Sequence, residues 1–414
     1  MSEIGSKWQM TEVKNLADHI TVGFVGSMSD LFVENGVPLL RGQNIHEYAL
    51  DLKNLKYISQ ETHRKWKKSA LVPGDVAIVR VGYPGTACVI PDGIGDLNAA
   101  SLVIVRPDRT KLDSNFLCYV INSPWGKAQV SGRLVGSAQQ VFNTQTAAEL
   151  KIPHPTLPVQ QRIAGILSAY DELIENSQKR IKILESMARV LYREWFVYFR
   201  FPGHESVPLV PSALGDIPQG WEVEKLVNVA DVNHAQINAR NAPRELHYID
   251  ISSVSPGQID KLTTYSFADA PGRARRIVRH GDVLWSCVRP NRRSHAQVIL
   301  PGTNTIASTG FAVLTATKVP FTFLYFATTT DDFVAYLSNS ATGAAYPAVS
   351  AQTFEKADLL IPAAPLLKMF GEATVPMIEE IHTLQLKIKN LRSTRDMLLP
   401  RLLSGQIEVE AFAS

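Results

Sequence analysis

An internal repeat constrains this chain more than any other feature of its sequence. The stretch from Leu71 to Arg80 aligns with Val278 to Ser286 and its continuation to Arg289, and Gly74 and Gly281 stand 207 positions apart. In both, Gly-Asp reads as a turn feeding an apolar run, the pattern of a buried strand. Ala148 to Pro153 matches Ala357 to Pro362, and Gly136-Ser137-Ala138 matches Gly343-Ala344-Ala345, in the same order and at nearly the same offset. Upstream, Trp8 has a counterpart in Trp221. Self-similarity of this kind decides the architecture before any local reading does. It predicts two copies of one mixed α/β domain, residues 1–156 and 204–364.

A helical segment follows each copy. In the first, Ile163, Ile166, Tyr170, Leu173, Ser177, Ile181, Leu184, Ala188, Leu191 and Trp195 recur at steps of three and four. In the second, Met377, Ile381, Leu384, Ile388, Leu391, Arg395, Leu398 and Leu402 do the same. These are heptad seams. A single seam reads as a helix packed on its own domain; two at repeat-equivalent positions predict helices that meet antiparallel about a pseudo-twofold axis. The expected fold class is therefore α+β: two repeated domains separated by two long helices, 157–203 and 365–414, forming an antiparallel coiled coil. At 1.5 Å per residue a helix over residues 163–195 is about 50 Å long. One turn of B-DNA is about 34–36 Å, so such a rod suits two domains meeting a duplex about one turn apart.

At 414 residues, with 45% hydrophobic and 20% charged residues and a mean hydropathy of −0.02, the chain has a globular composition with no apolar run fit to span a bilayer. Residues 1–10 lack the apolar core of a secretory signal, and the expected location is cytoplasmic. The three cysteines, Cys88, Cys118 and Cys287, stand far apart and read as buried free thiols.

The net charge of +3 says little, but its distribution says more. Arg273, Arg275, Arg276, Arg279, Arg289, Arg292 and Arg293 crowd one segment holding a single acid, Asp282. In the first half, His63, Arg64, Lys65, Lys67 and Lys68 surround Trp66, a patch that suits phosphates and equally a solvated helix face. The motifs of chemistry are missing. There is no glycine-rich element with Asn/Asp-Pro-Pro-aromatic for methyl transfer, no phosphate loop, and no zinc spacing; Glu355-Lys356 lacks the acidic partners of a metal-dependent nuclease. The expectation is a binding protein with no cofactor and no metal.

The segment from Ile152 to Leu167, running through Pro158-Val159-Gln160-Gln161-Arg162-Ile163 into a helix that ends Glu194-Trp195-Phe196-Val197-Tyr198-Phe199-Arg200-Phe201-Pro202-Gly203, resembles the central conserved region of type I restriction-modification specificity subunits. Pro38 to Ile45, Pro73 to Ile78 and Ile217-Pro218-Gln219-Gly220-Trp221 look like the family's target-recognition domains, and Leu398 to Gly405 like its distal helix. One departure is visible: Pro365 to Phe370 stands where the central copy has Gln160-Gln161. The resemblance implies a non-catalytic subunit that binds double-stranded DNA, each domain reading half of a split site. It also implies helices that dock two modification (methyltransferase) subunits, joined by restriction subunits that complete the cleaving complex. Two other readings stay open: a coiled-coil scaffold that binds no DNA, and the recognition part of a divergent DNA-modifying enzyme.

Base reading calls for Arg, Lys, Asn or Gln on loops. The candidates are Arg80, Tyr83, Gln139, Gln140 and Asn143 in the first domain, and Arg289, Asn291, Arg292 and Arg293 in the second, with Tyr346 and Gln352 as weaker choices. Each is also readable as a solvated surface side chain. Trp195, Phe196 and Tyr198 suit either a subunit interface or core packing at the helix end.

Overall fold

The repeated Gly-Asp stretch folds the same way twice. Gly74 takes φ +89° and Gly281 φ +88°, a region open to glycine. The turn lets Asp75 accept the Val72 N–H at 2.9 Å and Asp282 accept that of Arg279 at 2.7 Å. The strands that follow, Val76–Val79 and Val283–Ser286, are buried throughout. The computed structural model describes residues 7–134 and 141–409. Of the sequence matches, Gly136, Ser137 and Ala138 lie outside them.

Two compact units divide the chain, Met1–Asn176 with Lys387–Ser414, and Ser177–Leu386. Both divisions fall inside the long helices, Leu157–Tyr192 and Ala364–Leu403.

In the first unit an antiparallel four-stranded sheet has the order Ala87–Val89, Val76–Val79, Leu102–Pro107, Ala17–Val22. Its central strands are apolar at successive positions because both faces are covered. Val76, Ile78, Val103 and Val105 pack against Phe116, Leu117 and Val120 of helix Ser114–Asn122, while Ala77, Val79, Leu102 and Ile104 pack the other way, against Leu40, Leu97 and Ala99. The last three belong to a five-stranded sheet ordered Phe32–Val33, Lys56–Ile58, Val37–Leu40, Leu97–Ala99, Ala70–Leu71, with one parallel pair, Val37–Leu40 and Leu97–Ala99. Met10–Glu12 pairs with Lys151–Pro153.

In the second unit the four-stranded sheet runs Ala230–Val232, Phe311–Ala316, Val283–Ser286, His295–Gln297. The companion sheet runs Thr263–Ser266, Glu245–Ile249, Thr305–Ser308, Ala274–Ile277, with Glu245–Ile249 and Thr305–Ser308 parallel. Val283, Trp285, Ala312 and Leu314 face one core; Leu284, Phe311 and Val313 face another. Glu222–Lys225 pairs with Asp358–Ile361.

Within each unit the two helical segments run antiparallel. In the first, Arg162 donates to the Val409 carbonyl at 2.8 Å and Arg395 pairs with Asp171; in the second, Arg180 pairs with Glu380 at 2.7 Å and Tyr192 packs on Phe370. The seam departs from the expected positions at two places. Leu167 and Ile174 are buried where Ile166 and Leu173 were expected, and Leu173 is 47% exposed. The shift makes the spacing regular, since Ile163, Leu167, Tyr170, Ile174, Ser177 and Ile181 alternate steps of four and three. Among the described residues no helix is long and apolar enough to cross a membrane.

Candidate nucleic-acid interface

In the second unit the candidate loop is the hairpin tip joining Val283–Ser286 to His295–Gln297. A short 3-10 turn, Pro290–Arg292, is bounded by Arg289 at φ +52° and Arg293 at φ +56°. A second loop closes over it. Val288 and Ala348 form an antiparallel bridge, Arg289 N–H donates to the Pro347 carbonyl at 2.7 Å, and Val349 N–H donates to that of Cys287 at 2.9 Å. The pairing sets the Arg289 guanidinium 4.4 Å over the Tyr346 ring, with one Nη 3.2 Å from the Ala345 carbonyl. Tyr346, read from sequence as a weaker choice, is thus the direct partner of a stronger one, and 69% of it is exposed. Asn291 and Arg292 are exposed. Arg293 is tied to Asp331 and is therefore less available to an incoming anion. Gln352 is exposed on helix Ala351–Glu355.

The arginine-rich strand is drawn into the same region. Thr309 N–H donates to the Arg273 carbonyl at 2.8 Å, and Cys287 N–H to that of Gly310 at 2.9 Å, so Ala274–Ile277 and the Cys287 loop meet at one turn. Burial pushes the Cys287 thiol up to about 11, against the pull of the neighbouring Arg276 guanidinium. Among the described residues the guanidinium groups of Arg275, Arg276, Arg279, Arg289 and Arg292 make no ion pair, whereas that of Arg273 lies 3.9 Å from Asp250. Sequence reading passed over the segment Ala235 to Asn241, which lies along this strand; its signal was only a scatter of Gln, Asn and Arg in a polar stretch.

In the first unit the corresponding hairpin tip joins Val76–Val79 to Ala87–Val89. Phe142 N–H donates to the Arg80 carbonyl at 3.1 Å, bringing the segment after residue 140 to the tip. Tyr83 is 83% exposed, and Arg80 is half-buried with no partner for its Nε. Asn143 has a structural task. It caps helix Thr144–Ala148, its side chain accepting the Thr146 N–H at 2.8 Å. Gln139 and Gln140 lie outside the described residues. In the basic patch, Arg64, Lys65, Lys67 and Lys68 are exposed around Trp66, which stacks on Phe24 at 3.8 Å and 9°.

The helix-end aromatics separate. Phe196 is 6% exposed among Trp221, Phe323 and Phe370, in the core of its own unit, and the half-buried Trp195 packs beside it. Tyr198 is 50% exposed, between Arg193 and Arg200. Ile183, Met187 and Val190 on helix Leu157–Tyr192, with Val197 in the π-helical turn Arg193–Val197 that follows, form an exposed apolar stripe at heptad spacing, each at least 42% exposed.

No group of three or more His, Cys, Asp or Glu able to hold a metal occurs among the described residues. Cys88 and Cys118 are buried free thiols, and Cys287 is half-buried.

Residues 91–186 match the type I restriction modification DNA specificity domain, which gives the class: a chain carrying a DNA specificity domain. The MjaIX type I restriction enzyme specificity subunit of Methanocaldococcus jannaschii is 24% identical over 306 residues, covering 72% of this chain and 70% of that protein. The HindI specificity subunit of Haemophilus influenzae is 20% identical, covering 91% and 94%. In fold, the type I S subunit from M. genitalium covers 97% of both chains with a TM-score of 0.63 at 16% identity. In sequence and in fold the chain is thus similar to type I restriction-modification specificity subunits.

Proposed function

We propose that this chain is a type I restriction-modification specificity subunit that reads a bipartite DNA site, one half with residues 1–156 and the other with residues 204–364, and that helices 157–203 and 365–414 pair as an antiparallel coiled coil. The observation that carries this reading is the matching strand order of the two four-stranded sheets, each presenting a basic or aromatic hairpin tip at the same position. Two similar domains with differing loop side chains suit two unlike half-sites. In the second, Arg289, Tyr346, Asn291 and Arg292 supply base and phosphate contacts; in the first, Arg80 and Tyr83 do so, with Gln139, Gln140 and the free amide of Asn143. Arg64, Lys65, Lys67 and Lys68 add sequence-independent affinity. The chain performs no chemistry itself. Its exposed stripe of Ile183, Met187, Val190 and Val197, with Tyr198, suits an apolar helix of a modification (methyltransferase) subunit, and two such subunits with restriction subunits complete the assembly in the cytoplasm.

The test is adenine methylation mapping of genomic DNA from cells making this chain with its modification subunit, compared with cells lacking the chain. A split motif that disappears on deletion is the expected result. An unchanged methylation pattern, with the modification subunit present and active, overturns the reading.

A further inference from the structure

Strand Ala274–Ile277 lies at the edge of its sheet, and the chain covers that edge with its own residues 235–237. Ile237 N–H donates to the Arg275 carbonyl at 2.8 Å and Ile277 N–H to that of Ala235 at 3.1 Å, so Gln236 and Arg276 stand directly opposite in an antiparallel bridge. The bonds flank this pair instead of joining it. It is therefore the close type, with Cα atoms about 4.5 Å apart and both side chains on one face. Neighbouring residues take the other face: Ile237 is buried with Leu246 and Ile306, and the Arg275 guanidinium lies 5.0 Å over Phe267, which packs on the same cluster. Gln236 and Arg276 thus point away from that core. Gln236 is exposed, and Arg276 is half-buried with no partner for its Nε.

We propose that Gln236 and Arg276 form a base-reading pair of the second unit, contacting adjacent base edges in the major groove. The proposal rests on the DNA-recognition reading above. A two-stranded ribbon fits the major groove; a glutamine amide matches the N6 and N7 edge of adenine, and a guanidinium the O6 and N7 edge of guanine. The turn that follows is already built from within. Asn238 Oδ1 accepts the Arg240 N–H at 2.8 Å, and Asn241 Oδ1 accepts the Asn238 N–H at 2.6 Å, which fixes the ribbon end without using Gln236. Arg276 neighbours Cys287, two residues before Arg289, whose guanidinium covers the Tyr346 ring. Unpaired arginines nearby supply phosphate affinity, leaving the Gln236 and Arg276 pair to carry sequence information.

The experiment is affinity selection of randomised duplexes on the full chain, comparing wild type with Gln236→Ala and Arg276→Lys, each shown by its melting curve to be folded. Arg276→Lys keeps the charge but loses the two-armed contact. In both variants, preference at one or two adjacent positions of a single half-site should fall about tenfold or more, the scale of one bidentate base contact. The other half-site should stay as in wild type. Selection unchanged at every position in both variants overturns the proposal while leaving the recognition reading intact. So does a uniform loss across sequences in Gln236→Ala, the mark of a contact without base specificity. A wild-type chain that selects no sequence removes both.

Discussion

Arg106 holds Asp75 with both arms of its guanidinium, Nε to Oδ1 at 2.7 Å and Nη2 to Oδ2 at 2.8 Å, and the carboxylate is fully buried. The second unit answers the same problem differently. Asp282, also fully buried, accepts the Thr315 hydroxyl at 2.7 Å, and His234 Nδ1 lies 3.0 Å from that hydroxyl. Burial raises the Asp282 carboxyl above its ordinary range, against the pull of Thr315 and the Arg279 N–H.

Removing one partner of a buried ion pair strands the other, at about 3–5 kcal/mol. Arg106→Met should destabilise the first unit by about 3 kcal/mol, the lower end of that range, because the Arg106 side chain is 36% exposed and water softens the loss. Adding Asp75→Asn should recover part of it. Urea denaturation of the single and double variants measures both, and additive losses would mean that the pair is not coupled.

His295 makes a pH prediction with a definite sign. It is 7% exposed against Trp285, its Nδ1 has no partner, and burial, with Arg293 and Arg189 as further causes, lowers it from 6.5 to about 4. Between those values the unfolded chain binds a proton that the folded chain refuses, so stability rises with pH across that window. Acidification from above pH 6.5 towards 4 should cost about 3 kcal/mol, taking 1.36 kcal/mol per unit, and should level off below. Melting curves across this range check it; His295→Leu should flatten the slope.

The matching turns and the buried strands after them were legible because they rest on local chemistry: Gly74 and Gly281 allow turns that few other residues tolerate, and the apolar runs after them fit buried strands. The helix seams were legible in period but not in phase. Ile166 and Leu167, like Leu173 and Ile174, are adjacent apolar residues that composition cannot separate, and only the partner helix decides which of each pair is buried. The capping task of Asn143 was not legible because a capping asparagine and a base-reading one look alike; the Thr146 hydroxyl three residues on was the available sign. Gln236 escaped because its importance comes from pairing with a strand 40 residues away.

Arg289 and Tyr346 should act together on DNA. Arg289 holds a left-handed backbone, so Arg289→Gly removes the side chain without the steric penalty that alanine meets there, about 1–2 kcal/mol. Arg289→Gly and Tyr346→Ala should each weaken duplex binding about tenfold, with unchanged melting, the order expected of losing a charged or stacking contact. Equal affinity in a salt titration of either variant would remove that residue from the interface.

Phe196 and Tyr198, two residues apart, should behave oppositely. Phe196→Ala empties a site enclosed by Trp221, Phe323 and Phe370 and should cost about 3–5 kcal/mol. Tyr198→Ala should leave stability within about 0.5 kcal/mol, and a Met187→Glu, Val190→Glu double variant, changing exposed positions, should do likewise. These surface variants should lower co-purification of the modification subunit. Undiminished co-purification would send the docking surface elsewhere.

If the paired helices act as a ruler, their length sets the spacer between half-sites. Removing seven residues from each, between Ser177 and Ala188 in the central helix and across the facing stretch of the distal one, preserves the seam because seven residues make two turns of the coil. The rod shortens by about 10 Å at 1.5 Å per residue, or about three base pairs at 3.4 Å each. Three base pairs also turn the duplex by about 100°, given 10–10.5 base pairs per turn, so twisting or bending the spacer must restore the facing of the grooves. The shortened chain should therefore select the same two half-sites with a spacer about three base pairs shorter, and bind them more weakly. Removing two residues instead should destabilise the paired helices, because it turns Leu184 and Ala188 by about 200° out of the seam at 3.6 residues per turn. An unchanged spacer in the seven-residue variant, with both half-sites still read, would show that the domains set their own separation.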